Sequence, residues 1–263
     1  MEKKILDWGV KSDKKTKQPE IEIHEIIHSE KSKRNLIRNN NRIKSLIKSE
    51  KILKKKISGV VLEVGAGNGY ASVFLSLNRP IDKIYCSEVT ISGVNKLIRK
   101  NFKENNIDIN KYELVHGSFN KIPLKNNFDF VIALGALHHS SDLRRTLDEL
   151  NSCLKEGGVL IAQEPFTNDF TKNDFFIERS NKEHNVQGIV KIKNKERDDN
   201  FFRKCEYLTA AHHSGFEIVY FDEIKQSLKG RIRILLREKS IVKNGLIILK
   251  KVMSKETIPH RWE

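Results

Sequence analysis

The stretch VVLEVGAGNGYAS, Val60 to Ser72, decides the fold. An apolar run ends in three glycines at alternate positions, Gly65, Gly67 and Gly69, with the carboxylate of Glu63 two residues before the first. A strand, a glycine turn and a helix in succession bring backbone N–H groups and a helix N-terminus to the carboxyl end of a sheet, where a ligand can approach the main chain closely. The spacing disfavours two common ligands. A dinucleotide turn follows G-x-G-x-x-G, and counting from Gly65 puts Tyr70 where the third glycine belongs. A phosphate-cradling loop ends in Gly-Lys before Ser or Thr, and no lysine follows Gly69. A carboxylate at Glu63 suits a cationic ligand better than a phosphate.

Outward from this loop, short β-rich runs alternate with helical patterns. The runs are GVVLEV (59–64), KIYCSEV (83–89), YELVHG (112–117), FDFVIAL (128–134) and GVLIAQE (158–164), with helices expected near 69–78, 91–105 and 142–155. Strands this apolar are buried on both faces, and crossover helices between them make the sheet mainly parallel. The fold class is therefore α/β, Rossmann-like and doubly wound. Residues 165–202 break the alternation with polar, aperiodic sequence and read as an insertion or lid. A helix near 203–214, stopped by Gly215, precedes a strand FEIVYFD (216–222); a basic helical stretch near 226–242 leads to a last run, GLIILKKV (245–252). The last two strands are expected to pair antiparallel at the sheet edge.

The N-terminal segment differs. Residues 1–19 are polar and expected to be poorly ordered. From Ile21 to Ile57 apolar residues recur at roughly helical intervals, which predicts two or more amphipathic helices with a break at Asn39 to Asn41. Residues 1–57 form a basic helical segment expected to cap the active site, and 58–263 the main domain. Of the net +15, the first 57 residues supply an excess of nine, from 17 Lys or Arg against 8 Asp or Glu. Such a segment can serve phosphates or acidic surfaces. The preferred reading is a set of solvated cationic helix faces, because the basic residues lack aromatic neighbours for stacking on bases. With 38% hydrophobic residues the chain can bury a sizeable core, yet it has no apolar run of membrane-spanning or signal-peptide length, so a cytoplasmic location is expected. Cys86, Cys153 and Cys205 are far apart without a C-x-x-C pair, which encodes neither a metal site nor a disulfide framework; they read as reduced, buried residues.

The E-x-G-x-G-x-G pattern from Glu63 to Gly69 resembles the first motif of the class I S-adenosylmethionine-dependent methyltransferases. The resemblance continues through Glu88 at the end of IYCSEV, the segment HGSFNKIPL, and FDFVIALGALHHSSDLRRTLDELNSCLKEGGVLIAQEP with its Leu-His-His turn. It covers about Gly59 to Asp222, and it implies a seven-stranded sheet completed by the final hairpin. It also implies S-adenosylmethionine as cofactor. Gly65 and Gly67 would line its methionine and ribose side, Glu63 would support the loop or the amino group, and Glu88 would grip the ribose hydroxyls. Phe119 would flank the adenine, and Ala66, Gly69, Val89 and Leu134 complete the expected cofactor site. Ser118 departs from the family, which often has Asp there; a serine hydroxyl can accept the adenine amino hydrogen bond, but without charge assistance.

A sulfonium methyl is already activated, so the protein must chiefly align a nucleophile and exclude water. A hydroxyl acceptor is helped by a base, and the candidates are His138, His139 and Glu164 at the carboxyl ends of the fourth and fifth family strands. For the histidines the alternative is a turn residue bonded to backbone. His184 would act only if the insertion folds over the pocket, and His212 and His213 read as structural or solvated residues at a helix end. GALH after the fourth strand lacks the Asn/Asp-Pro-Pro-aromatic motif of base amino methyltransferases. A small, anionic acceptor such as a phosphorylated or nucleotide-linked sugar is the expected partner, methylated on oxygen, and nucleic acid is not. The competing readings are an RNA methyltransferase that uses the basic N-terminus and a non-catalytic cofactor-binding scaffold.

Overall fold

The structure, a computed structural model, describes residues 3–9, 33–173, 183–186, 190–193, 202–224 and 242–252. At its centre is β2 (Gly59–Val64), whose side chains alternate between two apolar clusters: Val61 joins one, Leu62 and Val64 the other. Both faces are covered, which is why the run carries no polar alternation. Before it come β1 (Ile5–Asp7) and α1 (Lys33–Leu53). After it follow α2 (Tyr70–Asn78), β3 (Ile81–Glu88), and a π-helical segment, Gly93–Ile98, that continues as α3 (Arg99–Glu104). Next are β4 (Tyr112–His116), β5 (Phe128–Leu134), a 3-10 turn at Leu137–His139, α4 (Leu143–Cys153) and β6 (Leu154–Thr167). A two-stranded ribbon of β7 (Glu183–Val186) and β8 (Val190–Lys193) precedes α5 (Lys204–His213), β9 (Phe216–Glu223) and β10 (Val242–Lys251).

The main sheet runs β1-β4-β3-β2-β5-β6-β10-β9. The strands from β1 to β6 pair in parallel, and β10 lies antiparallel between β6 and β9. The doubly wound sheet and its antiparallel edge hairpin are as expected from the sequence. Successive strands are added on one side of β2 up to β4 and then on the other from β5, so a crevice opens between the carboxyl ends of β2 and β5. Leu46 of α1, Leu75 of α2, Ile98 of the π-helical segment and Phe102 of α3 cover one face; Leu147 and Leu150 of α4 and Ala211 of α5 cover the other.

Five expectations are corrected. The sheet has eight strands, not seven, because β1 pairs in parallel with β4. Residues 3–9 are thus ordered, with Trp8 8% exposed and 6.3 Å from the Tyr85 ring; a three-residue strand is too short to show periodicity in sequence. No break occurs at Asn39 to Asn41: α1 runs through them, since asparagine costs only a few tenths of a kcal/mol inside a helix and burial of Asn39, Ser45, Leu46 and Ser49 on one face overrides that. The helix expected to 155 ends at Cys153, and β6 starts at Leu154, before the glycine pair. Cys205 is exposed on the solvent side of α5, whereas Cys86 and Cys153 are buried. Much of the 165–202 segment and all of 226–241 lie outside the described residues.

Candidate active site

Strand register lines up the chemistry. Val64 stands opposite Ser87 on one side and Ala133 on the other, Glu88 opposite His116, and Leu134 opposite Gln163. Gly65, Glu88, Gly117, Gly135 and Glu164 therefore fall along one rim of the sheet. The turns after β2 and β5 touch across the crevice: Gly65 has φ +60°, and a Cβ there would lie 2.7 Å from Ala136 Cβ. Only glycine lets the two turns come this close.

Glu63 alternates onto the α2 side of β2, and this places its carboxylate at the N-terminus of α2. The helix begins at Gly69, which has no side chain to cap it. Glu63 Oε2 does so instead, accepting the Ser72 backbone N–H at 2.9 Å and the Ser72 hydroxyl. Burial pushes the Glu63 carboxyl up to about 7, although the Ser72 bonds and the positive charge of Arg42 pull the other way. Burial, and then the neighbouring Glu63, raise the Cys86 thiol well above its usual range.

Glu88 is likewise buried and ties two turns together. Its Oε2 accepts the Gly67 N–H at 2.9 Å, and its Oε1 accepts those of Val89 at 2.9 Å and Thr90 at 3.4 Å. Ala66 and Leu134 are buried in the crevice floor, and Gly67 and Gly69 hold left-handed φ values of 60° and 72°. On the rim beyond β4, Ser118 Oγ accepts the Asn120 N–H at 3.2 Å and Phe119 packs against the core. Val89 stays 52% exposed beside Glu88, and Ile91 46%.

Across the crevice, Glu164 is fully buried under the turn after β5. It accepts the N–H groups of Ala136 at 2.8 Å, Leu137 at 2.9 Å and His138 at 3.3 Å, and its Oε2 lies 2.8 Å from His138 Nδ1. With these donors around it the carboxylate is an acceptor, so Nδ1 carries the hydrogen and the imidazole lone pair sits on Nε2. Glu164 thus positions His138 and does not itself reach the crevice, which narrows its expected catalytic role. His139 is exposed, its ring 4.1 Å from that of His138. His184 lies on β7, in a separate ribbon, and His212 and His213 end α5 in solvent, away from the rim.

Sequence reasoning missed Arg42. It lies on the same face of α1 as Ser45, Leu46 and Ser49, and Ser45 Oγ binds Gln163 Oε1 at 2.8 Å, fixing that face to β6. Arg42 Nη2 is 3.0 Å from the point a Cβ on Gly135 would occupy, and His138 Cε1 is 3.9 Å from the same point. The available signal was a polar residue at helical spacing within an inward stripe. Among the described residues no group of His, Cys, Asp and Glu could hold a metal ion, and no helix is long and apolar enough to cross a membrane.

Comparison with known proteins agrees with this fold. A family model described as a methyltransferase domain matches residues 62–162. The chain is 22% identical over 180 residues to a sarcosine/dimethylglycine N-methyltransferase of Aphanothece halophytica, which covers 68% of this chain and 59% of the relative. It is 32% identical over 123 residues to a tRNA U34 carboxymethyltransferase of Ruthia magnifica subsp. Calyptogena magnifica, covering 45% of this chain and 35% of that one. The chain therefore spans less than two thirds of the length of either curated relative. Among solved structures, a phosphoethanolamine N-methyltransferase 2 of Haemonchus contortus, in complex with S-adenosyl-L-methionine, matches with a TM-score of 0.60 at 12% identity, covering 80% of this chain and 52% of that one. Residues 62–162 thus match a methyltransferase domain, and the chain around them has the Rossmann-like fold of the class I S-adenosylmethionine-dependent methyltransferases.

Proposed function

We propose that this protein transfers the methyl group of S-adenosylmethionine to an oxygen of a small anionic acceptor, with a phosphorylated or nucleotide-linked compound as the class that suits it. The observation that carries this reading is the crevice itself. A glycine loop flanked by the buried carboxylates Glu63 and Glu88 faces, across the β2–β5 switch point, a histidine held by a buried carboxylate. The residues present fit the cofactor. The loop offers carboxylates and no lysine to a cationic amino acid and sulfonium, and the exposed Val89 and Ile91 offer an apolar surface to an adenine.

When bound, S-adenosylmethionine supplies an activated methyl that passes to the acceptor oxygen, leaving S-adenosylhomocysteine. The chain's own residues do the rest. Glu88 holds the loop by its bond to Gly67 and keeps lone pairs at the crevice for hydroxyls. Glu164 fixes the tautomer and direction of His138, whose Nε2 takes the proton of an acceptor hydroxyl. Two further readings have support. The relatives named as N-methyltransferases favour a nitrogen acceptor, for which Nε2 would remove a proton from an ammonium. The tRNA-modifying relative favours RNA.

The test is transfer of radiolabelled methyl from S-adenosylmethionine to hydroxyl-bearing phosphates and sugar nucleotides, small amines, and tRNA in parallel. Label in a hydroxyl acceptor, lost in His138→Ala, supports the proposal. Label in amines alone would move the acceptor atom to nitrogen, and label in tRNA alone would overturn the small-acceptor reading. Cofactor binding without any label would point to a scaffold.

A further inference from the structure

The strand β1 lies outside residues 62–162, which match the methyltransferase domain, and the mechanism above gives it no part. It nonetheless ends at the rim. β1 runs parallel to β4 with Asp7 opposite His116, and the Trp8 N–H donates to the His116 carbonyl at 3.0 Å. Chain direction thus carries the indole to the start of the turn that leaves β4, where it is buried in one apolar cluster with Val115, Ile122 and Phe128.

Gly117 opens that turn and is enclosed on three sides. A Cβ there would lie 3.2 Å from Trp8 Cε3, 3.2 Å from Ser87 Oγ and 3.2 Å from Val115 Cγ1. Its N–H donates to the Glu88 carbonyl at 3.1 Å, and its own carbonyl accepts the Ser87 hydroxyl at 3.3 Å. The Lys121 N–H closes the turn on the Ser118 carbonyl at 3.2 Å, and Asn120 Oδ1 ties its far side to α4 by accepting the Thr146 hydroxyl at 2.5 Å. Hydrogen bonds therefore hold the turn to β3 and to α4, while the indole is the wall on the β1 side. Removing that wall leaves a void beside Gly117, which a close-packed interior answers by shifting its neighbours.

We propose that Trp8 is a positioning residue for the cofactor: by filling the space beside Gly117 it fixes Ser118 and Phe119 where an adenine meets the rim, which makes β1 part of the cofactor site. This rests on the methyltransferase reading above, with Ser118 and Phe119 at its adenine end. Trp8 acts through Gly117. Because Gly117 is bonded to the backbone of Glu88, whose carboxylate holds the Gly67 N–H, the same contact sets the adenine end in register with the glycine loop.

The test is titration calorimetry of the full chain with S-adenosylhomocysteine, at a temperature where each variant is folded. Trp8→Leu keeps an apolar side chain on the strand but takes the ring from Gly117, and it should weaken binding about tenfold or more; Trp8→Phe, which restores a ring, should return to within about threefold of the parent. Leu6→Ala is the control for stability alone. Leu6 packs on the same cluster from the same strand, so its truncation should lower the unfolding midpoint and leave affinity within about twofold. 5′-Methylthioadenosine, which keeps the adenosine and lacks the amino acid, should weaken in Trp8→Leu by the same factor as S-adenosylhomocysteine. Unchanged affinity in Trp8→Leu, an equal loss in Leu6→Ala, or a loss confined to S-adenosylhomocysteine would overturn the proposal. Should Trp8→Leu not fold, Gly117→Ala presses on the same contact from the turn's side; it should bind S-adenosylhomocysteine several-fold more weakly, and unchanged binding would again overturn the proposal. Failure of the parent to bind S-adenosylhomocysteine at all would instead remove the methyltransferase reading on which the proposal stands.

Discussion

Glu63 should make the folded protein less stable as the pH rises toward neutrality. In the folded state its carboxyl titrates near 7 because it is buried, against an ordinary value of 4.5. Below the ordinary value it is protonated in both states, and its contribution is fully present. As pH rises, the unfolded chain releases the proton first while the folded chain holds it, so stability falls until the folded carboxyl has also titrated. Each pH unit across that gap carries about 1.4 kcal/mol, which gives a ceiling of about 3 kcal/mol. Glu113 and Asp129 act in the opposite sense. Although burial raises both, lysine partners outweigh it and hold them below their usual range, so their stabilisation is present above that range and lost only as the solution becomes more acidic. The assay is urea unfolding of the parent and Glu63→Gln at several values from about pH 5 to about pH 8, comparing the difference between the two proteins so that other titrations cancel. The glutamine variant, which mimics the protonated acid, should gain about 2–3 kcal/mol on the parent across the range. Parallel pH profiles would refute the reasoning.

Other substitutions test the crevice. Gly65→Ala must adopt a left-handed φ and place its Cβ 2.7 Å from Ala136 Cβ, so it should cost about 2–4 kcal/mol in denaturant unfolding; a loss under about 1 kcal/mol would mean that the turns part easily. Glu164→Gln presents an NH2 to donors that need an acceptor; it should cost about 1–3 kcal/mol and lower kcat with cofactor affinity intact, as should His138→Ala, and unchanged turnover in either would remove the base assignment. Glu88→Ala releases the Gly67 and Val89 N–H groups and the expected ribose grip, so S-adenosylhomocysteine should bind more than about tenfold more weakly in calorimetry; equal affinity would contradict it.

What the sequence disclosed was whatever depends on neighbours in the chain. The E-x-G-x-G-x-G spacing placed the loop because a strand, a turn and a helix are local events, and the apolar runs placed the parallel strands because both faces of each are buried. Contacts between distant segments were less legible. Nothing near Trp8 announces that three residues will add a strand beside β4, and a mid-helix asparagine run looked like a break because the packing that overrides it comes from the sheet. Glu164 is an acid at a strand end in sequence, and only its bonds to residues 136–138 show that it holds His138 in place. Arg42 lay hidden among many lysines and arginines, since direction on a helix matters only once the helix is docked.

The measurement that bears most directly on the central claim is titration calorimetry of the purified chain with S-adenosylhomocysteine, with NAD as the control. The account predicts binding of about micromolar affinity for S-adenosylhomocysteine and none for NAD, whose pyrophosphate would face the carboxylate-lined loop. Binding of NAD, or of neither compound, would contradict it.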